Sequence, residues 1–141
     1  MGMKVVVYFE TLKGNTQTTG EHIATAFSRG DADVAVRSID DVDLNQLAEA
    51  DLVVFGTWVH GLRWVGVGPA GMAKIKNFPA IQGKRAAVFC TYRWNPKKSL
   101  DTMAAAVSAR GANVIAAQSF QEHELDKGIR EFVAGLLAAS V

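Results

Sequence analysis

The segment VVVYFETLKGNT, Val5 to Thr16, decides how the chain reads. Its first five residues are apolar without alternation, which suits a short strand buried on both faces. A hydroxyl, a glycine, an amide and a second hydroxyl follow, and a helical pattern then begins at residue 16. A helix N-terminus presents unpaired N–H groups and partial positive charge, so it attracts an anion. Thr11, Thr16 and Thr18 would add hydroxyl donors, and Gly14 would let the backbone approach closely. The plainer reading is that Asn15 or Thr16 caps the helix. The spacing matches neither a Walker loop nor Gly-x-Gly-x-x-Gly, so a single phosphate group fits better than a triphosphate or a dinucleotide.

The same pattern continues along the chain. Leu52–Phe55, Ala86–Phe89 and Val114–Ala117 are further unbroken apolar runs, while Val34–Ile39 mixes polar and apolar residues like an edge strand. Helical spacing separates them. Residues 16–29 carry Ile23, Ala26 and Phe27 on one face, and residues 97–110 carry Leu100, Met103, Ala104 and Val107 with Gly111 as a stop. A last stripe is formed by Leu125, Ile129, Phe132, Val133 and Leu136. Weaker helices are expected within 43–49, through Leu44 and Leu47, and over 69–77, with Pro69 near the first turn. Strand and helix therefore alternate. Parallel strands need right-handed crossovers, so helices cover both faces of a five-stranded parallel sheet. The expected class is α/β, a three-layer doubly wound sheet. Ligands on such sheets sit outside the carboxyl ends of the strands.

Composition sets the outer bounds. The 141 residues are expected to form a single domain, 1–141, and 49% of them are apolar, as in a globular protein. A net charge of +1 gives no overall case for nucleic acid. The apolar run near the N-terminus is too short for a signal-peptide core, and no run approaches membrane-spanning length. Cys90 is the single cysteine and has no internal partner, which suits a reducing, cytoplasmic setting.

Two further loops are expected beside the first. Gly56–Trp64 brings Trp58 and Trp64 to the carboxyl end of the third strand, where an aromatic can stack on a planar ligand or cover the sheet end as core. His60 has no second histidine or carboxylate at ligand spacing, which argues against a metal. Cys90–Pro96 offers Tyr92 and Trp94 at the same end, with Cys90 itself read as a small core residue.

Together these loops resemble those of the flavodoxin family. Thr11-Leu-Lys-Gly-Asn-Thr16 resembles the family's phosphate loop, Thr/Ser-x-Thr-Gly-Asn-Thr, with Lys13 in place of the middle threonine. Gly56-Thr-Trp-Val-His-Gly61 resembles the Thr-Trp-x-x-Gly loop whose tryptophan stacks on the flavin. The resemblance spans nearly the whole chain and implies the strand order 2-1-3-4-5 with FMN at the switch point, an arrangement for which flavodoxin is itself the standard example. It assigns the phosphate to Thr11, Leu12, Lys13, Gly14, Asn15 and Thr16. The ring falls to Thr57, Trp58, Val59, His60 and Gly61, together with Thr91 and either Tyr92 or Trp94. The third loop departs from the family pattern, which has a Gly- and Asp-containing segment before its tyrosine. The Val59–His60 peptide stands where family members hydrogen-bond the flavin N5. Neither residue is glycine, so a flip to positive φ there would carry a steric cost.

Charge sharpens the expectation. Lys13, Arg63, Arg93, Lys97 and Lys98 lie on or beside the three loops, against Glu10 and Asp101. Flavodoxins are typically acidic around the flavin; cations there would favour the anionic, fully reduced cofactor and a less negative second reduction step. A basic rim also suits an acidic redox partner protein. Two other readings stand beside the electron carrier. One is an NAD(P)H-dependent, FMN-containing quinone or flavin reductase, so enzymatic activity stays open, as does monomer against dimer. The other is a flavin-free interaction domain. A response regulator is disfavoured, because Gly56 and Thr57 stand where that family ends its third strand with an aspartate.

Overall fold

The computed structural model describes residues 3–9, 15–58, 78–92, 97–121 and 125–139, with backbone alone at 15–18, 57–58, 91–92, 97–99, 121 and 125–126. Five strands form one sheet: β1 (Lys4–Phe9), β2 (Asp33–Ser38), β3 (Leu52–Trp58), β4 (Arg85–Tyr92) and β5 (Asn113–Gln121). Their order is β2-β1-β3-β4-β5, and every pairing is parallel. Four described helices connect or flank them: α1 (Asn15–Arg29), α2 (Leu44–Glu49), α3 (Lys97–Ala109) and α4 (Leu125–Ala139). The helix expected over 69–77 lies outside the described residues.

The apolar runs are unbroken because the sheet is covered twice. Val6, Tyr8, Val53, Phe55, Ala86, Val88 and Cys90 pack beneath Leu47 of α2 and Met103 and Val107 of α3. Their alternating neighbours Val5, Val7, Leu52, Val54, Ala87 and Phe89 pack beneath Ile23 and Phe27 of α1 and Ile129, Phe132, Val133 and Leu136 of α4. Each strand residue thus has a helix above it whichever way it points, which is the arrangement that removes period-2 alternation. β2 is half-buried along most of its length, as its mixed composition predicts for an edge. β5 is the other edge. It slips register opposite Ala86 and Ala87, pairing these with Val114 and Ala116, so Ile115 is the extra residue of a bulge.

Helix ends follow the chemistry of their residues. Asp43 caps α2, its carboxylate accepting from the Asn45 and Gln46 amides at 3.0 and 3.1 Å. At the far end of α2 the Lys84 ammonium donates to the Ala48 and Ala50 carbonyls, both at 2.9 Å. α3 stops at Gly111, which adopts φ 96°. A side chain there would also press to 2.9 Å from the Gln82 backbone. α1 closes differently. Ala32 N donates to Phe27 O at 3.0 Å and Asp31 N to Ser28 O at 3.1 Å, a Schellman pair that puts Asp31, at φ 65°, where glycine is usual.

Candidate functional site

The strands overrun their expected ends at the carboxyl side of the sheet. Apolarity alone stops the third and fourth strands at Phe55 and Phe89, yet pairing carries them on through Trp58 and Tyr92. Trp58, Thr91 and Tyr92, expected from sequence in loops, therefore lie on strands, and Thr57 and Cys90, expected at strand ends, lie within them. Thr57 pairs with Cys90 and Trp58 with Thr91, because adjacent polar strands still exchange backbone hydrogen bonds after the apolar pattern ends.

Phe9, the last described residue of β1, lies opposite Ser38 of β2 and Gly56 of β3. β3 and β4 stay paired through Thr57–Cys90 and Trp58–Thr91, and β4 stays paired with β5 through Tyr92–Gln121. β1, β3 and β4 are thus neighbours in the sheet, and β1 is the strand that leads toward α1.

α1 is described from Asn15, which places the Asn15 and Thr16 amides in its first turn, among the donors a helix leaves without an internal partner. That turn holds no acidic residue. α3 starts with Lys97 and Lys98 just after β4, also without an acid in its first turn. Cations there oppose the helix dipole, so helix stability does not account for them.

The floor of the site is fixed by one glycine. A Cβ on Gly56 would fall inside the Phe89 ring, so only glycine lets that ring lie across β3. Below it Phe89, Phe120 and Phe132 form a cluster with centroids 5.5 to 6.2 Å apart. On the other face Tyr8 and Phe55 stack at 5.8 Å, and Phe78 meets both edge-on at 5.0 and 4.9 Å. The Tyr8 hydroxyl is buried without a hydrogen-bond partner among the described residues. Burial pushes its pKa up to about 12, and the Arg37 charge opposes that shift while Asp43 and Asp41 add to it. Cys90 is wholly buried, and burial raises its thiol to about 12. The small-core reading of Cys90 holds: a thiol with so little thiolate is not a nucleophile.

Of the residues named from sequence, Asn15, Thr16, Thr57, Trp58, Thr91 and Tyr92 fall on described backbone at one end of the sheet. Thr11, Leu12, Lys13, Gly14, Val59, His60, Gly61 and Trp94 lie outside the described residues, as do Arg63 and Arg93. Sequence reading passed over Gly56 as a strand terminator and gave Tyr8 no role beyond the core. The apolar run around Tyr8 held the only hint that its hydroxyl would be buried.

A family model described as flavodoxin matches residues 7–133. A curated flavodoxin of Maridesulfovibrio salexigens is 38% identical over 61 residues, a stretch that spans 41% of this chain and 41% of that relative. The solution structure of two-electron reduced Megasphaera elsdenii flavodoxin superposes with a TM-score of 0.76 at 20% identity, over 96% of this chain and 98% of its own. A flavodoxin from the domain Archaea gives 0.72 at 21%, over 98% and 99%. These two likenesses concern the fold.

Proposed function

The chain belongs to the flavodoxin family of FMN-binding electron-transfer proteins, and we propose that it holds the cofactor at the carboxyl ends of β1, β3 and β4. The observation that carries this reading is the adjacency of these three strands, with α1 following β1 and no acid in its first turn. A phosphate suits the β1 side. There the amides of residues 12–16, with Thr11 and Thr16, would receive it, and Lys13 would add charge. A planar ring suits the side of β3 and β4. Thr57, Trp58, Val59, His60 and Gly61 would hold one of its faces and edges, and Thr91 with Tyr92 or Trp94 the other. FMN, once bound, supplies the redox chemistry; the chain binds, orients and tunes it.

The family match favours the carrier over a reductase and over a flavin-free domain. Lys97 and Lys98, the first residues of α3, would supply the tuning. Positive charge near the ring would favour its anionic reduced form and an acidic redox partner, and the single buried cysteine fits a reducing cytoplasm. Among the described residues no helix is long and apolar enough to cross a membrane.

Titration of the purified chain with FMN tests the cofactor. Quenched flavin fluorescence and shifted visible bands are expected, and Trp58→Ala should weaken binding by about tenfold, the loss of one stacked, buried aromatic. An unperturbed flavin spectrum at saturating protein, or unchanged affinity in Trp58→Ala, would sink the assignment. Spectroelectrochemistry of Lys97→Gln/Lys98→Gln tests the tuning: the second reduction step should move to more negative potential, and an unmoved one removes these lysines from the site.

A further inference from the structure

On the flank of the molecule, away from the strand ends, α1 and α4 pack side by side and leave a cleft of about 380 Å³. It is lined by His22, Thr25, Ala26 and Arg29 from α1 and by Ile129 and Arg130 from α4. We propose that this cleft binds a small organic anion, one with a carboxylate, sulfate or phosphate head on an apolar body.

The charge is one-sided. Among the described residues two guanidinium groups line the cleft and no carboxylate does. Neither Arg29 nor Arg130 joins an ion pair among the described residues; the pair on this part of α4 is Lys127–Glu131, at 4.0 Å. Arg29 stands in the last turn of α1, where a cation suits the helix dipole. Arg130 is in the second turn of α4, where no helix terminus accounts for it. Two like charges facing one cleft repel, and an anion between them relieves the repulsion. The guanidinium fork also matches the geometry of a carboxylate or phosphate.

The other lining groups select the rest of the ligand. The Thr25 hydroxyl donates to the Glu21 carbonyl at 3.0 Å, so it offers the cleft only lone pairs. Donation to an anion then falls chiefly to the arginines. Ala26, half-buried, and Ile129, buried, form an apolar floor. A bare inorganic ion would leave that floor wet, whereas an apolar body would cover it.

The test uses the chain with FMN in excess, so that a phosphate probe cannot enter the cofactor loop, and follows amide chemical shifts by NMR. Phenyl phosphate should shift amides around Ala26 and Ile129 saturably, and inorganic phosphate should bind the same place more weakly. Arg29→Gln and Arg130→Gln should each weaken phenyl phosphate by about tenfold, the scale of a lost charge-assisted hydrogen bond. Both side chains are exposed, so folding is spared, and the flavin spectrum should be the same in both variants. The proposal fails if phenyl phosphate shifts nothing in the cleft, if its shifts survive the double variant, or if inorganic phosphate binds equally well. Flavin retention is read separately, so loss of the cleft ligand and loss of the cofactor cannot be confused.

Discussion

The two faces of the sheet are packed from different materials. Between the sheet and α1 and α4 the largest side chains are Phe27, Phe89, Phe120 and Phe132, hydrocarbon throughout, and Gly56 has given up its side chain to let Phe89 lie flat. Beneath α2 and α3 the corresponding cluster includes Tyr8, whose hydroxyl has no partner among the described residues, and Cys90 lies in the same layer. One face is limited by shape and the other by polarity. Shape is unforgiving of added volume, while an orphaned polar atom is a standing cost that substitution can remove.

Three changes probe that difference, in falling order of effect. Gly56→Val should destabilise the fold by about 3 kcal/mol or more, since the new side chain must displace a packed ring. Urea unfolding followed by circular dichroism reads it, and a loss near zero would mean that Phe89 can vacate its place. On the opposite face Tyr8→Phe should stabilise by about 1 kcal/mol, because it deletes a buried hydroxyl that has no partner among the described residues. The same hydroxyl and the Cys90 thiol set the alkaline limit. Both titrate near 12 when folded, against ordinary values of 10.0 and 9.0, so the unfolded chain releases their protons first. Stability is therefore full below about pH 9 and falls as the pH rises toward about 12, and Tyr8→Phe should flatten that fall. An equal slope in wild type and variant would take Tyr8 out of the account. The smallest effect is expected outside both cores. Asp31→Gly should add about 0.5 to 1 kcal/mol by relieving the left-handed backbone at the end of α1. A lower melting temperature in that variant would show that Asp31 holds its turn by side-chain contacts.

The architecture was legible because the two covered faces erase alternation, and unbroken runs such as Val5–Phe9 separated by helical stripes admit few other folds. The edge character of β2 was legible for the converse reason, its mixed residues. Strand ends were not. Thr57, Trp58, Thr91 and Tyr92 carry turn-like or ligand-like side chains, and nothing in a residue's identity reports whether the neighbouring strand still offers a hydrogen-bond partner. The place of Gly56 was equally hidden, since its meaning depends on Phe89, a residue 33 positions later in the chain (89 − 56) and opposite it in the sheet. For the cofactor site, motif and strand order named the region, and local residues alone left phosphate cradle and helix cap side by side.

The edge position of β2 also has a consequence in time. β1 is held by ladders on both sides, to β2 and to β3, whereas β2 is held by the ladder to β1 alone. Backbone opening at Ala35 therefore breaks about half as many connections as opening at Val6. Amide hydrogens of β2 should exchange with solvent well before those of β1.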